Sequence, residues 1–175
     1  MLQQFETTSE SHLSGARLIA LREEMAKANV DWLVVPHADE HQNEYLPARA
    51  ERLAWLTGFT GSAGSAIVGR EIAGVVVDGR YTLQAQDQLD GDAFQTIKLS
   101  DFTPKAWLKE HMKPGDKLGF DIWTNTIDGA KTYSDLAEET STELVMLGTN
   151  LLDEVWSNQP DLPAEPVTIP AVEQA

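Results

Sequence analysis

No cysteine occurs in the 175 residues. That excludes a disulfide framework, a thiolate metal site and a catalytic thiol. No apolar run approaches the roughly 18 to 20 residues needed to span a bilayer. The opening stretch, MLQQFETTSESHLSG, has neither the basic nor the apolar region of a secretory signal. Basic residues are also scarce. Lys and Arg number 13 against 28 Asp and Glu, for a net charge of -15. Such a chain repels phosphate backbones and anionic bilayers, so neither nucleic acid nor a membrane is an expected partner. The composition reads as a cytoplasmic protein with a solvated acidic surface. Attraction of cationic peptide N-termini is the functional alternative for that charge.

What is present suits one domain of ordinary size, with 42% hydrophobic residues to form its core. Residues 1–12 read as a flexible lead-in and 13–158 as the domain. Half of the eight prolines (Pro160, Pro163, Pro166 and Pro170) fall in 159–175. Proline at that density extends neither a helix nor a central strand, so this segment reads as a stiff linker.

Within the domain, Ser14 is a candidate N-cap, and Leu18, Leu21, Met25 and Ala28 share one helical face up to Asn29. Trp32 to Pro36 is a short apolar run fit for a buried strand. A polar loop, His37 to Glu44, leads past Pro47 to a helix over 48–56, with Leu53 and Leu56 facing in and Arg49 and Arg52 facing out. Ser65 to Val68 and Ala73 to Val77 form a hairpin through a tight Gly69-Arg70-Glu71 turn. A helix over 81–89, a strand over 93–99 and a helix from Thr103-Pro104 to Met112 follow. Then come a strand over 117–120, a helix over 126–140, a strand over 143–147 and a helical turn over 151–156. Strands alternating with helices around a central hairpin predict an α/β fold, a mixed sheet with flanking helices. The five tryptophans sit in or beside apolar runs and are expected mostly in the core.

Four motifs invite a catalytic reading. Gly58-Phe-Thr-Gly61-Ser-Ala-Gly64 is glycine-rich, but its spacing is G-x-x-G-x-x-G. It follows a helix and precedes a strand, the reverse of a phosphate-binding loop. Ser62 lacks the first glycine and the strand-to-helix setting of a nucleophile elbow. His37-Ala-Asp-Glu40-His41 matches H-x-x-E-H, which works only on a helix; Pro36 and an apolar strand run straight into it. Asp78 and Asp121, each at a strand end, would suit a two-metal carboxylate pair, but are better placed as caps. The carboxyl end of the first strand is where α/β sheets tend to hold ligands, which keeps Asp39, His41 and Glu44 as candidates.

A longer pattern is more specific than any of these. It runs Asp31-Trp-Leu-Val-Val-Pro36, Asp39-x-His41-Gln-x-Glu44-Tyr45, Arg52, Leu56 to Gly64, and Asp78-Gly-Arg-Tyr81 with Leu83-Gln-Ala85. It continues with Leu118-Gly-Phe-Asp121, Asn150-Leu-Leu-Asp-x-x-Trp156 and Gln159-Pro-x-x-Pro163. Over about residues 14 to 165 the chain resembles the N-terminal domain of aminopeptidase P, or Xaa-Pro aminopeptidase, in the creatinase/prolidase superfamily. The closing segment is similar to the long, three-domain form.

The resemblance implies a ribonuclease H-like creatinase/prolidase N-terminal domain. It implies a parent metalloprotease that removes the N-terminal residue preceding proline, using two divalent metals, typically manganese, in a C-terminal catalytic domain. No segment resembling that domain's metal ligands is found here, so no catalytic residue, metal ligand or cofactor is assigned to this chain. The implied role is noncatalytic: restricting access to short proline-containing peptides, contacting the chain's own catalytic domain and supporting a homo-oligomer. Asp39, His41, Glu44, Phe59, Arg80 and Tyr81 are expected at that surface. Arg80 is expected either to reach a peptide carboxylate or to form a surface salt bridge. A free-standing binding or scaffold domain and a ribonuclease H-fold metal-dependent hydrolase are the alternatives. Two departures stand out: His37 replaces a small residue, and Val75-Val76-Val77 lacks the Trp usual before Asp-Gly-Arg.

Overall fold

A computed structural model describes residues 9–164. Six strands form one sheet: β1 (Trp32–Pro36), β2 (Gly64–Gly69), β3 (Ala73–Val77), β4 (Gln95–Lys98), β5 (Lys117–Asp121) and β6 (Glu143–Leu147). Their order is β4-β3-β2-β1-β5-β6. β2 is antiparallel to both β1 and β3, and every other pairing is parallel. The helices are α1 (Ser14–Lys27), α2 (Arg52–Thr57), α3 (Thr82–Gln88), α4 (Pro104–His111), α5 (Ile127–Thr140) and α6 (Leu151–Val155). This is the expected mixed sheet with helices on its faces.

Each central strand is apolar on both sides because both sides are covered. Leu33, Val35, Ala66, Val75 and Val77 pack under α1, α2, α3 and α6. Trp32, Val34, Ile67, Val76 and Ile97 pack under α4 and α5. Among the described residues, no helix is long and apolar enough to cross a membrane.

Local chemistry sets most boundaries. Thr103 and Thr126 cap α4 and α5 by accepting the N–H groups of Ala106 and Gly129, and Asn150 caps α6 by accepting that of Leu152. Asn29 and Ser141, both with φ near 56–57°, end α1 and α5 in the left-handed region.

Several expectations are corrected. Ser14 does not cap α1. It is the first helical residue, its hydroxyl is buried, and Leu13 holds the cap position behind a 3₁₀ turn at Ser11–Leu13. The helix expected over 48–56 breaks at Glu51 into a 3₁₀ turn, Ala48–Ala50, and α2. That break turns Arg52 inward, where it is buried and paired rather than facing solvent. β4 is shorter than expected because a turn centred on Asp90 takes the N–H groups of Ala93 and Phe94. Trp123 is 63% exposed, unlike the other four tryptophans.

Candidate functional site

Since only β2 runs against the rest, five strand carboxyl ends emerge along one edge of the sheet, where ligand sites of α/β sheets collect. The loops at that edge hold all six residues expected from sequence, in two clusters.

The first cluster is the loop after β1. Asp39 is almost fully buried and accepts three hydrogen bonds, from the N–H groups of His41 (3.0 Å) and Asn43 (2.9 Å) and from Asn43 Nδ2 (2.8 Å). Burial works to raise its carboxyl, but these donors outweigh burial and hold it below the usual carboxylate range. Asp39 therefore shapes the loop rather than facing a ligand. His41 and Glu44 are exposed on it, next to Tyr45. Gln42 Nε2 ties the loop to the Asp121 corner by donating to the carbonyl of Thr124 at 3.2 Å. His37 extends the strand, its N–H bonded to the Gly64 carbonyl, and no helix places His37 and His41 on one face.

The second cluster explains the glycine-rich stretch. Phe59 is 1% exposed, and Tyr81 stands edge-on against it, with ring centroids 5.9 Å apart. A Cβ on Gly61 would lie 2.3 Å from the Phe59 ring and 2.8 Å from that of Tyr81, so only glycine lets the chain wrap this pair. Tyr81 Oη lies 2.7 Å from Ser62 Oγ, and Gln84 and Gln88 reach Thr60 from α3. Glycine loop, Asp78-Gly-Arg-Tyr81 and the glutamines of α3 thus form one packed corner. Asp78 accepts the N–H of Arg80 and caps the 3₁₀ turn Gly79–Tyr81. It also pairs with the Arg80 guanidinium at 2.8 Å, beside the Tyr81 ring. Hydrogen bonds from Arg80 lower the Asp78 carboxyl, and Asp78 in turn raises Arg80. Arg80 remains exposed at the rim, while Phe59 is its buried support.

A third corner brings together Arg52, Asp121, Asn150 and Asp153, which the sequence marks one by one but does not join. Asp121 accepts from the N–H of Trp123 (2.8 Å) and from Asn150 Nδ2 (2.8 Å), as a turn cap. Beside it lies a cleft of about 520 Å³, lined by Arg49, Arg52, Trp123, Asn150 and Leu162 among others. Arg52 donates to both carboxylate oxygens of Asp153, at 2.7 and 2.8 Å. The partner signal, Asp153 in Asn-Leu-Leu-Asp, lies 101 positions away.

The donor groups do not fit a metal pair. Asp78 and Asp121 end strands three places apart in the sheet, roughly 14 Å at the ordinary strand spacing. Among the described residues no three His, Asp or Glu side chains converge as metal ligands. Ser62 faces a tyrosine hydroxyl rather than a base.

The sequence profile of the creatinase/prolidase N-terminal domain matches residues 17–155. The chain is 39% identical over 152 residues to human Xaa-Pro aminopeptidase 2, covering 86% of this chain and 22% of that protein. Among solved structures it is similar to an X-prolyl aminopeptidase from Caenorhabditis elegans, described as a cytosolic enzyme with a di-nuclear active site. The TM-score is 0.83 at 32% identity, over 91% of this chain and 28% of that one. The N-terminal domain of the cytoplasmic peptidase PepQ from Mycobacterium tuberculosis shares the fold, with a TM-score of 0.62 at 24% identity, over 81% of this chain and 98% of that one. The chain thus spans about a quarter of the length of the full-length aminopeptidases it matches.

Proposed function

This chain belongs to the creatinase/prolidase N-terminal domain family, and from that premise we propose that it is the noncatalytic N-terminal domain of a metal-dependent Xaa-Pro aminopeptidase. In this reading the carboxyl edge narrows access to an active site held elsewhere in the polypeptide and favours short proline-containing peptides. The two divalent metals, manganese in our proposal, and the peptide-bond hydrolysis belong to that other part. This domain contributes shape, charge and contacts within a homo-oligomer.

The observation that carries the reading is the build of the Asp78–Tyr81 corner. Its base is rigid: a buried phenylalanine, a glycine that cannot be widened and a glutamine network. Its tip is an exposed arginine. A stiff base that holds one exposed arginine, paired with Asp78 and able to exchange that partner, suits the selection of a small anionic group, here the terminal carboxylate of a short peptide. The exposed His41 and Glu44 flank the same edge.

The reading is tested with an Xaa-Pro tripeptide. The 175-residue chain with added manganese is expected to give no turnover above a metal-only blank, while a longer polypeptide carrying this stretch cleaves it. Turnover by the chain alone would overturn the noncatalytic assignment. In the longer polypeptide, Arg80→Ala is expected to raise KM several-fold for peptides with a free carboxyl terminus and to leave amide-capped peptides unchanged. Equal KM changes for both substrates would remove Arg80 from the role.

A further inference from the structure

β6 is an edge strand, and the corner where β5 and β6 end is unusually apolar for a surface with this charge. Ile122 (44% exposed), Trp123 (63%) and Ile127 (89%) follow one another out of β5 into α5. Met146 (72% exposed) stands beside them: it pairs with Phe120, and the next residue, Leu147, accepts the N–H of Ile122. Leu162, also exposed, shares the adjoining cleft with Trp123. Single exposed apolar residues are ordinary, but a cluster with a polar rim marks an interface.

We propose that this corner is the docking surface for the polypeptide that follows the domain, through an apolar surface with a basic rim. The inference rests on the reading of the chain as an N-terminal domain.

Three observations select this occupant. First, the family is defined as an N-terminal domain, and the stretch is 22–28% of the full-length relatives quoted above. Second, the outgoing chain is fastened at this corner. Gln159 Nε2 donates to the Arg49 carbonyl at 3.1 Å and to Asp153 at 2.7 Å, and Arg49 donates to the carbonyl of Pro160 at 3.0 Å. The described chain therefore leaves the domain beside the patch. Third, Glu40 and Glu154 line the same cleft as Trp123, and Asp128 follows Ile127, all three exposed. A second copy, with its net charge of -15, is a poor match for these acidic groups. At an effective concentration of roughly a millimolar, an intrinsic affinity of about 0.1 mM would leave the patch open about one time in ten.

Hydroxyl-radical footprinting tests this, because it reads Trp123 and Met146 individually. The 175-residue chain and a longer polypeptide carrying it are labelled at low and high protein concentration, with Leu83 as an exposed reference. Labelling of Trp123 and Met146 is expected to fall about tenfold in the longer polypeptide, independently of concentration. In the longer polypeptide, Trp123→Glu is expected to return Met146 to the labelling seen in the shorter chain. Equal labelling in both polypeptides overturns the proposal, and so does protection that disappears on dilution, which would assign the patch to a second copy. Protection of Tyr45 without Trp123 or Met146 overturns it too, while leaving the access role of the carboxyl edge standing. The peptidase assay is separate, so loss of that activity reading does not alter the footprint.

Discussion

Arg52 joins two parts of the chain 101 positions apart through a two-pronged bond to Asp153. Burial works to raise the Asp153 carboxyl, but the hydrogen bonds and charge of Arg52, with help from Gln159, outweigh it and hold the group below its ordinary value. A carboxylate lowered in the folded state contributes stability that is present above the unfolded value and lost as the pH falls through the folded one. Arg52→Met is therefore expected to destabilise the domain by about 2–3 kcal/mol at neutral pH, because it strands a half-buried carboxylate. The gap between the two proteins should close as the pH falls below about 4. Urea unfolding at several pH values checks this, and a gap independent of pH would mean that packing, not charge, is what Arg52 supplies. The sequence shows an arginine beside two inward leucines and reads it as facing out. Its inward turn depends on the break at Glu51 and on a carboxylate supplied by α6, neither of which has a local pattern.

The elements were legible where a strong local rule governs them. The run from Trp32 to Val35 reads as a buried strand because both faces are apolar, and the hairpin reads from its turn. Capping threonines mark the starts of α4 and α5. Element ends without such a rule were not legible: a turn from Asp90 shortens β4, and a break at Glu51 divides the 48–57 segment. Gly58 is a testable instance of both levels. It closes α2 at φ 79°, a conformation the sequence allows, while a Cβ there would lie 2.7 Å from Ser9 Oγ and 2.9 Å from the Ser11 backbone. Gly58→Ala should cost about 1–3 kcal/mol, combining left-handed strain with that collision. Gly79→Ala, with open space around it, should be close to neutral. Thermal melts of the two variants compare them directly; equal losses would show that the collision at Gly58 relaxes without cost.

For the whole molecule the governing quantity is charge. At -15 the folded chain repels itself more than the expanded one, and its exposed ion pairs each return little. Raising the salt to about 0.5 M, where screening acts within a few ångströms, should raise the unfolding midpoint. A midpoint that falls would show that the ion pairs outweigh the repulsion. The sequence by itself determined the α/β class, the acidic surface and the family pattern, because periodicity, composition and residue order are properties of the chain alone. It also marked all six candidate residues of the carboxyl edge. Only the tertiary structure decided their parts: Asp39 and Phe59 became supports, and His41, Glu44 and Arg80 stayed exposed. It likewise left Trp123 and Met146 uncovered while burying the other four tryptophans almost or largely out of solvent. The reason is that exposure depends on which elements the sheet order brings together, and a side chain's own type does not carry that information.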